Sequence, residues 1–314
     1  MEQLKGNRLE EYINAVSEMV KYKILGIIVF PYAINTEFLI INFMYMQHIK
    51  ILMEYDKSPY ISVIITAYNR KEFLLNAIKS VLNQTLDKKY YEIIVIKNFT
   101  DKNIDDFINE NNIVGIISDK ESLGWKLVEA INIARGTVMS FLEDDDLFSN
   151  DKLEVVFNKF HDNDNICYYH NAHITINEKY QKLDSNIGKS IIFNMSSISV
   201  KKSILNLNNL KKVNFNMDHF IYLLALESDN VIMNGKEKLT YYMFHTSASH
   251  IDTNDINLFI KYRRMNLEQD INSFKMFSEM FISRRAKSYI RQKLTNMEID
   301  GYILFEIHTS IFYE

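Results

Sequence analysis

The chain has 314 residues, of which 47% are apolar, so it can bury the core of one large α/β domain or two smaller ones. Its 36 basic and 40 acidic side chains give a net charge of −4, which lacks the electrostatic footprint of a nucleic-acid binder. The single cysteine, Cys167, excludes an internal disulfide and a cysteine-based zinc cluster, and it is typical of a reducing compartment such as the cytoplasm.

The N-terminal part of the chain contains two strongly apolar runs, at residues 24–34 and 38–46. Each is shorter than the roughly 20 apolar residues that a spanning helix needs. The runs predict a helix or strand buried against the main domain, and a membrane-surface or re-entrant anchor is the alternative. No cleavage pattern typical of a secretory signal follows them. We therefore predict that residues 1–57 form an N-terminal extension.

From Ser58 the pattern changes to short apolar runs that alternate with helical periodicity, which indicates β-α units on a mostly parallel sheet. Asn69 and Glu72 resemble a capping pair that opens the first helix, and Gly136 is placed where a helix C-cap favours glycine. Strands are predicted at 60–66, 91–96, 113–117 and 137–142, and further helices at 103–109 and 125–134.

The later part of the chain predicts a helix around 152–160, a strand-like stretch around 166–176 and a helix at 218–226. From about Asn257 the sequence is helical in character and contains the following arginines: Arg263, Arg264, Arg284, Arg285 and Arg291. We predict a main domain at 58–250, with halves at 58–150 and 151–250, and a helical C-terminal region at 251–314.

Four consecutive acidic residues, Glu143 to Asp146, follow the fourth predicted strand. In open α/β sheets ligands bind beyond the carboxyl ends of the strands, so this run converges with the loops at 67–70 and 97–101. Four crowded carboxylates are electrostatically costly unless solvent or a divalent cation offsets their charge. The position after a strand favours a metal site, and an acidic loop that caps the helix near Lys152 is the alternative.

Two stretches resemble family 2 glycosyltransferases. They are SPYISVIITAYNRKEFLLNAIKSVLNQTLDKKYYEIIVI at 58–96 and GWKLVEAINIARGTVMSFLEDDDLFSNDKL at 124–153, and the likeness covers roughly 59–249. The resemblance implies a GT-A type α/β fold, with a Rossmann-like, mostly parallel central sheet flanked by helices. It also implies an inverting enzyme that moves a sugar from a nucleotide-sugar donor, a UDP- or GDP-sugar, to a glycan, lipid-linked or other hydroxyl acceptor with Mn²⁺ or Mg²⁺.

The resemblance assigns the donor side of the site. Thr66, Ala67 and Tyr68 match the loop that holds the base and ribose. In the Asp-x-Asp type motif, Asp144 matches a position that contacts ribose or metal, and Asp145 matches the principal metal ligand at the diphosphate. The neighbouring Asp146 is then a supporting acid or a helix cap.

The resemblance also assigns the acceptor side. Asp218 matches the general base that takes the proton of the attacking hydroxyl, and an ordinary carboxylate in a first helical turn is the alternative. His245, in a Tyr-x-x-His pattern, matches a further metal or diphosphate contact, and a surface histidine is the alternative. Ser196 and Ser197 match a strand near the acceptor.

The loop after the second strand departs from the family. Many members carry two aspartates there, whereas this chain has Lys97 and Asn98. Asn98 can still pair with a uracil or guanine edge, because its amide both donates and accepts. We expect Lys97 to be a solvated loop charge, with a phosphate contact as the alternative. This departure keeps open a catalytically silent sugar- or nucleotide-binding scaffold.

Other functions are less favoured. A sugar-phosphate nucleotidyltransferase expects a glycine-rich phosphate loop at the first strand, which this sequence lacks. A polysaccharide synthase usually carries several membrane spans. The Arg-rich tail and the apolar N-terminal runs suggest a cytoplasmic protein with peripheral contact to the inner face of the membrane.

Overall fold

The computed structural model describes residues 58–183, 193–244 and 256–312. They belong to one compact unit, residues 57–314. The apolar runs at 24–34 and 38–46 lie outside the described residues, and so does His245, while the division of the chain into three parts stays a prediction. Within the described segments, no helix combines the length and apolar character that a membrane crossing requires.

The first half of the unit is a parallel sheet whose strands are connected by crossover helices. Its elements in chain order are β1 (Ile61–Ala67), α1 (Leu74–Leu82), β2 (Tyr91–Lys97), α2 (Lys102–Glu110), β3 (Val114–Ile117), α3 (Leu123–Ile133) and β4 (Val138–Glu143). Strand β1 lies between β2 and β4, and β3 is the edge strand beyond β2.

The second half extends the same sheet. Its elements are β5 (Leu147–Phe148), α4 (Lys152–Asp162), β6 (Ile166–Ile176), β7 (Ile198–Lys201), α5 (Leu207–Leu210), α6 (Met217–Glu227) and β8 (Val231–Met243). The complete sheet is mixed, with the strand order β3-β2-β1-β4-β7-β6-β8-β5. Strand β7 pairs antiparallel with both β4 and β6, and β6 pairs parallel with β8.

Two long helices, α7 (Ile256–Met280) and α8 (Arg284–Phe312), form a C-terminal helical hairpin. Phe274, Phe277 and Phe281 from this hairpin are buried in the same apolar cluster as Phe220 of α6. The hairpin therefore shares the core of the sheet domain.

The core lies on both faces of the sheet because successive strand side chains point to opposite faces. On β1, Ile64 belongs to the cluster with α3, α6 and the hairpin, whereas Val63 and Ile65 belong to the cluster with α1 and α4. Both faces of the central strand are covered, which explains why five of the seven residues of β1 are apolar.

Two local predictions were wrong. Helix α1 begins at Leu74 without a side-chain cap, and Asn69 instead has a left-handed backbone with φ of 56°. Gly136 does not cap α3, which ends at Ile133 with Ala134 as its C-cap residue. A Cβ at Gly136 would lie 2.6 Å from the backbone nitrogen of Ser62, so the close approach of β1 requires glycine there.

Candidate active site

The acidic run lies at the carboxyl end of β4, and Glu143 is the last residue of that strand. Its backbone N–H donates to Ser196 Oγ at 3.0 Å. Asp145 and Asp146 follow in the turn to β5 and are 8% and 1% exposed. Glu143, Asp145 and Asp146 each present an oxygen, and these three atoms lie within 4.8 Å of one another.

Burial and the charges of neighbouring acids raise the pKa values of Glu143 and Asp146. Burial, followed by the neighbouring charges of Asp146 and Asp145, raises the pKa of Glu143 well above its usual value. Burial and the charge of Asp145 raise the pKa of Asp146 to about 7. Asp146 Oδ1 accepts from the backbone N–H of Met243 at 2.8 Å, while its Oδ2 is buried without a hydrogen-bond partner.

A buried lysine lies beneath this cluster. Lys152 is fully buried, and its ammonium donates to the carbonyl of Ser196 and to Thr240 Oγ1. Burial lowers the pKa of Lys152 well below its usual value, and the charge of Asp146 opposes that shift. None of the three acids of the cluster caps α4. The N-cap residue of this helix is Asp151, which makes no side-chain cap bond. The alternative of an acidic helix cap is therefore wrong.

Asp144 is directed away from the other three acids, toward the loop after β1. It accepts from the backbone N–H of Tyr68 at 3.2 Å and from Arg70 at 2.5 Å. Burial raises the pKa of Asp144 to about 6, and the charge of Arg70 opposes this shift. Arg70 also donates to Asp145 at 2.6 Å, so one guanidinium bridges two acids. Sequence reasoning assigned Arg70 no role, although it placed the loop that carries it.

The loop after β1 lies beside the acidic run, as predicted from the parallel order of the strands. Thr66 and Ala67 end β1, and Tyr68 is 56% exposed with the Lys126 ammonium 4.1 Å from its ring centre. Asn98 lies in the adjacent loop. Its amide donates to Asn69 Oδ1 at 2.8 Å and accepts from the Asn69 backbone at 2.9 Å. In this state the Asn98 side chain joins the two loops.

Lys97 is not the solvated loop charge that we expected. It is 1% exposed, its ammonium lies 2.7 Å from Asp105, and it donates to the Phe99 carbonyl at 2.6 Å. The buried Lys97 ammonium thus links the loop after β2 to helix α2. The expectation was wrong because a charge at a strand end looks the same in sequence whether its stem points outward or into the domain.

Asp218 lies in the first turn of α6, close enough to the acidic run for its charge to raise the pKa of Glu143. Its Oδ1 accepts from the backbone N–H of His219 at 2.8 Å. Burial raises the pKa of Asp218 to about 6, and backbone N–H groups oppose that shift. The tertiary structure thus places the predicted base and the predicted metal ligands in one electrostatic neighbourhood.

Tyr242 connects these two parts of the site. Burial first, then the charges of Asp146, Glu143, Asp145 and Asp218, raise its pKa. Sequence reasoning noted this tyrosine only as the start of the Tyr-x-x-His pattern. Its register on β8 places it beside the acidic run, and the pairing of β5 with β8 creates that proximity.

The three clustered carboxylates fit a divalent cation. Mn²⁺ and Mg²⁺ prefer oxygen ligands, and three such atoms converge here. The Oδ2 of Asp146 is a buried acceptor that lacks a partner, as a ligand atom without its ion would be. Glu143 joins Asp145 and Asp146 in this set. The sequence placed Glu143 in the acidic run without assigning it a role, and its position as the last residue of β4 was the available signal.

The mixed sheet, its flanking helices and the acidic run at the end of β4 define a protein of the GT-A type. Residues 62–224 match the family model described as glycosyl transferase family 2. The chain belongs to this family. The prediction of a family 2 glycosyltransferase with a GT-A type fold is confirmed.

Related sequences agree with this membership. An uncharacterized glycosyltransferase of Rickettsia conorii is 34% identical over 129 residues, which cover 40% of this chain and 21% of the relative. An uncharacterized glycosyltransferase of Haemophilus influenzae is 25% identical over 262 residues, which cover 73% of this chain and 88% of the relative. The chain thus spans about a fifth of the length of the Rickettsia relatives it matches.

Among solved structures, residues 1–349 of TarS from S. aureus are similar to this chain with a TM-score of 0.51 and 15% sequence identity. The match covers 76% of this chain and 72% of that structure. At this identity the likeness shows the fold alone.

Proposed function

We propose that the chain transfers a sugar from a nucleotide-sugar donor to a hydroxyl acceptor with inversion at the anomeric carbon. The observation that carries the proposal is the joint placement of a three-carboxylate cluster and the separate carboxylate of Asp218 in one electrostatic neighbourhood. These are the two acidic functions that a metal-dependent, inverting transfer needs.

We propose that Glu143, Asp145 and Asp146 hold Mn²⁺ or Mg²⁺. When bound, the cation supplies positive charge that stabilises the departing nucleoside diphosphate. His245, which lies outside the described residues, is a proposed further contact for the metal or the diphosphate. Asp144 and the backbone of Tyr68 then face the donor, and Asp144 is the proposed ribose contact.

Thr66, Ala67 and Tyr68 are the proposed contacts for the base and ribose. Asn98 reads the base in this proposal only if it exchanges its pairing with Asn69 for pairing with the nucleotide. The exchange can conserve the hydrogen bonds of the Asn98 side chain, because an amide both donates and accepts in either state. UDP- and GDP-sugars are the proposed donors.

Asp218 is the proposed general base. Its pKa of about 6 leaves it a carboxylate at neutral pH while keeping its basicity close to the working pH. It takes the proton of the acceptor hydroxyl as that oxygen bonds to the anomeric carbon. The bond from this carbon to the phosphate oxygen breaks, and its electron pair leaves with the diphosphate. One displacement inverts the anomeric configuration.

Calorimetry with a panel of UDP-, GDP- and dTDP-sugars tests the donor site, with and without Mn²⁺. We expect one nucleotide class to bind the wild type only with the metal, and Asp145→Asn to abolish this binding. Asp218→Asn is the matched control, because it removes a carboxylate outside the metal cluster. It should keep donor binding and lower turnover by about 10²- to 10⁴-fold. Folded wild type that binds no donor would favour a silent scaffold.

We further propose a cytoplasmic location with peripheral membrane contact through the N-terminal part of α7, at residues 259–265. Phe259 and Met265 of α7 are exposed there, beside the exposed basic residues Arg263 and Arg264. Exposed apolar side chains beside basic ones suit an anionic lipid surface.

Sedimentation with anionic vesicles tests this contact. We expect wild type to sediment with phosphatidylserine vesicles at low salt and the double variant Arg263→Glu, Arg264→Glu to stay in solution. The same charge change at the exposed pair Lys88 and Lys89 is the control and should leave sedimentation unchanged. Wild type that does not sediment would refute the proposal.

A further inference from the structure

The C-terminal hairpin contacts one residue on each side of the proposed base in the sequence, Asn216 and His219. The side chain of Asn216, two residues before Asp218, donates to Asp270 of α7 at 2.9 Å. The imidazole of His219, the residue after Asp218, lies 2.8 Å from the Tyr289 hydroxyl of α8, measured to its Nδ1. Each helix of the hairpin therefore holds one side of the base.

The contact to Asn216 fixes where α6 begins. Asn216 is the N-cap residue of α6, with φ of 58° and no side-chain cap bond. Asparagine adopts a left-handed backbone more readily than most residues other than glycine, and contacts of its side chain hold it there. Asp270 holds the Asn216 side chain in place of the usual capping bond. The turn that aims the Asp218 side chain thus depends on α7.

The contact to His219 fixes the first turn of α6 from the other side. The His219 ring stacks on Phe193 with ring centres 4.8 Å apart and packs edge-on against Phe274 of α7. Burial lowers the pKa of His219 to about 3, so the ring is neutral at physiological pH. A neutral ring held by stacking and by the Tyr289 hydroxyl has little freedom to rotate, and the backbone N–H of His219 is the donor to Asp218.

The hairpin also holds the far end of α6. Glu227, the last residue of α6, accepts from the backbone N–H groups of Ile282 and Ser283 in the turn between α7 and α8. Between the two ends, Phe220 packs on Phe277 and Phe281. Contacts at both ends and along the middle make α6 and the hairpin one packed body.

The charged groups of the hairpin face Asp218 with opposite effects. Lys293 of α8 lowers the pKa of Asp218, and Asp270 of α7 raises it. The other titratable groups in this neighbourhood are Glu143 of β4, Tyr242 of β8, the buried Tyr168 of β6 and Tyr289 of α8. The charge of Asp218 raises the pKa of each of them. Tyr222 of α6 lies against Tyr168 and Tyr289.

We infer that the C-terminal hairpin is a positioning device for the catalytic base, in which Asp270 acts through Asn216 and Tyr289 acts through His219. The inference rests on the proposed role of Asp218 as the base. It gives the region after residue 250 a part in the reaction, although no residue of the hairpin is required to touch the substrates.

The first test uses hydrolysis of UDP-GlcNAc, UDP-glucose or GDP-mannose with Mn²⁺, in which water takes the place of the acceptor hydroxyl, and it is measured as released nucleoside diphosphate. Tyr289→Phe removes the hydroxyl and keeps the ring, and we expect kcat to fall about tenfold while the donor Kd stays within about twofold. Tyr262→Phe, on the same hairpin, is the control and should leave kcat unchanged. Equal kcat for Tyr289→Phe and wild type would overturn the role of Tyr289.

The second test follows the titration of the Asp218 carboxyl by ¹³C NMR, with the signal assigned through Asp218→Asn, and needs no substrate. Asp270→Asn removes a negative charge and should lower the titration midpoint by about half a pH unit. Lys293→Met removes a positive charge and should raise the midpoint by a similar amount. A hairpin whose charged side chains lie far from Asp218 would move neither midpoint, and that result would overturn the inference.

The two tests separate the inference from the proposed function. Asp218→Asn with wild-type turnover would refute the base role and the inference together. Asp218→Asn without turnover, together with unchanged kcat and unchanged midpoints in the hairpin variants, would refute the inference alone. If Tyr289→Phe lowers the yield of folded protein, Asp270→Ala decides the question, because it removes the acceptor of the Asn216 side chain. A fall in kcat of about tenfold would support the inference, and wild-type kcat would overturn it.

Discussion

The four acids after β4 take two different orientations. Asp144 accepts from the Tyr68 backbone and from Arg70, whereas Glu143, Asp145 and Asp146 converge. The guanidinium of Arg70 shares its charge between the two groups, since it also donates to Asp145. A cation already bound to Asp145 competes electrostatically with any metal at that carboxylate.

Arg70→Gln should therefore tighten the binding of Mn²⁺. Removing a positive charge beside a metal ligand lowers repulsion, and because Arg70 is one-third exposed we expect a gain of about threefold to tenfold. Calorimetric titration with Mn²⁺ measures it. Arg135→Gln is the matched control, because its guanidinium pairs with Glu92 away from the site. Weaker binding in Arg70→Gln would show that Arg70 organises the ligands instead of competing.

The pKa of Asp218 predicts the acid limb of the pH profile. Because the base must be a carboxylate, kcat should be constant above its pKa of about 6 and fall tenfold per pH unit below it. The profile is measured at saturating Mn²⁺, since a bound cation keeps the clustered acids ionised. An acid limb with its midpoint near 4 would mean that a carboxyl in an ordinary, solvated environment acts as the base.

Many members of the family carry two aspartates in the loop between β2 and α2. In this chain, residues of that loop stabilise the start of α2. Asp101 is the N-cap of α2, and its carboxylate accepts from the backbone N–H groups of Asn103 and Ile104 at 3.1 and 3.3 Å. Lys97 lies buried beneath the same helix, paired with Asp105. Through these contacts the charged side chains of the loop stabilise helix α2.

Asp101→Ala should lower the free energy of unfolding by about 1 kcal/mol through the loss of this cap. Asp101→Asn is the matched control and should be nearly neutral, because asparagine is an equally good N-cap. Urea denaturation measures both. Equal stability of the alanine variant and wild type would mean that water replaces the cap without cost.

At the scale of the whole molecule, the hairpin of α7 and α8 is part of the main core. Phe274, Phe277 and Phe281 lie in one apolar cluster with α3 and α6, and Phe277 is fully buried. The predicted boundary at residue 250 therefore separates regions of the sequence that share a core. Removing the hairpin would expose the face of α6 that carries Phe220.

Phe277→Ala should destabilise the protein by about 3–5 kcal/mol, because it removes a fully buried aromatic ring and leaves a cavity. Phe259→Ala makes the same substitution on α7 at a side chain that is 42% exposed, and it should change stability by less than about 1 kcal/mol. Chemical denaturation compares the two. Similar stabilities would mean that the hairpin is dispensable for the fold.

Much of the fold follows from local sequence patterns. The predicted strand at 137–142 is observed at Val138–Glu143, and the predicted helix at 218–226 is observed at Met217–Glu227. Periods of two and of about 3.6 residues appear within a few positions, so they are visible without tertiary information. The capping pair at Asn69 and Glu72 failed because Asn69 instead pairs with Asn98, a residue 29 positions away.

Local sequence patterns account for the alternation of strands and helices, for the acidic run after an apolar strand and for the family of the chain. Packing between distant segments accounts for the convergence of three acids, for the burial of Lys97 and for the contacts of the hairpin with Asn216 and His219. These contacts join residues that lie far apart along the chain. Arg70 meets Asp145 across 75 positions, and Tyr289 meets His219 across 70, so packing alone brings them together.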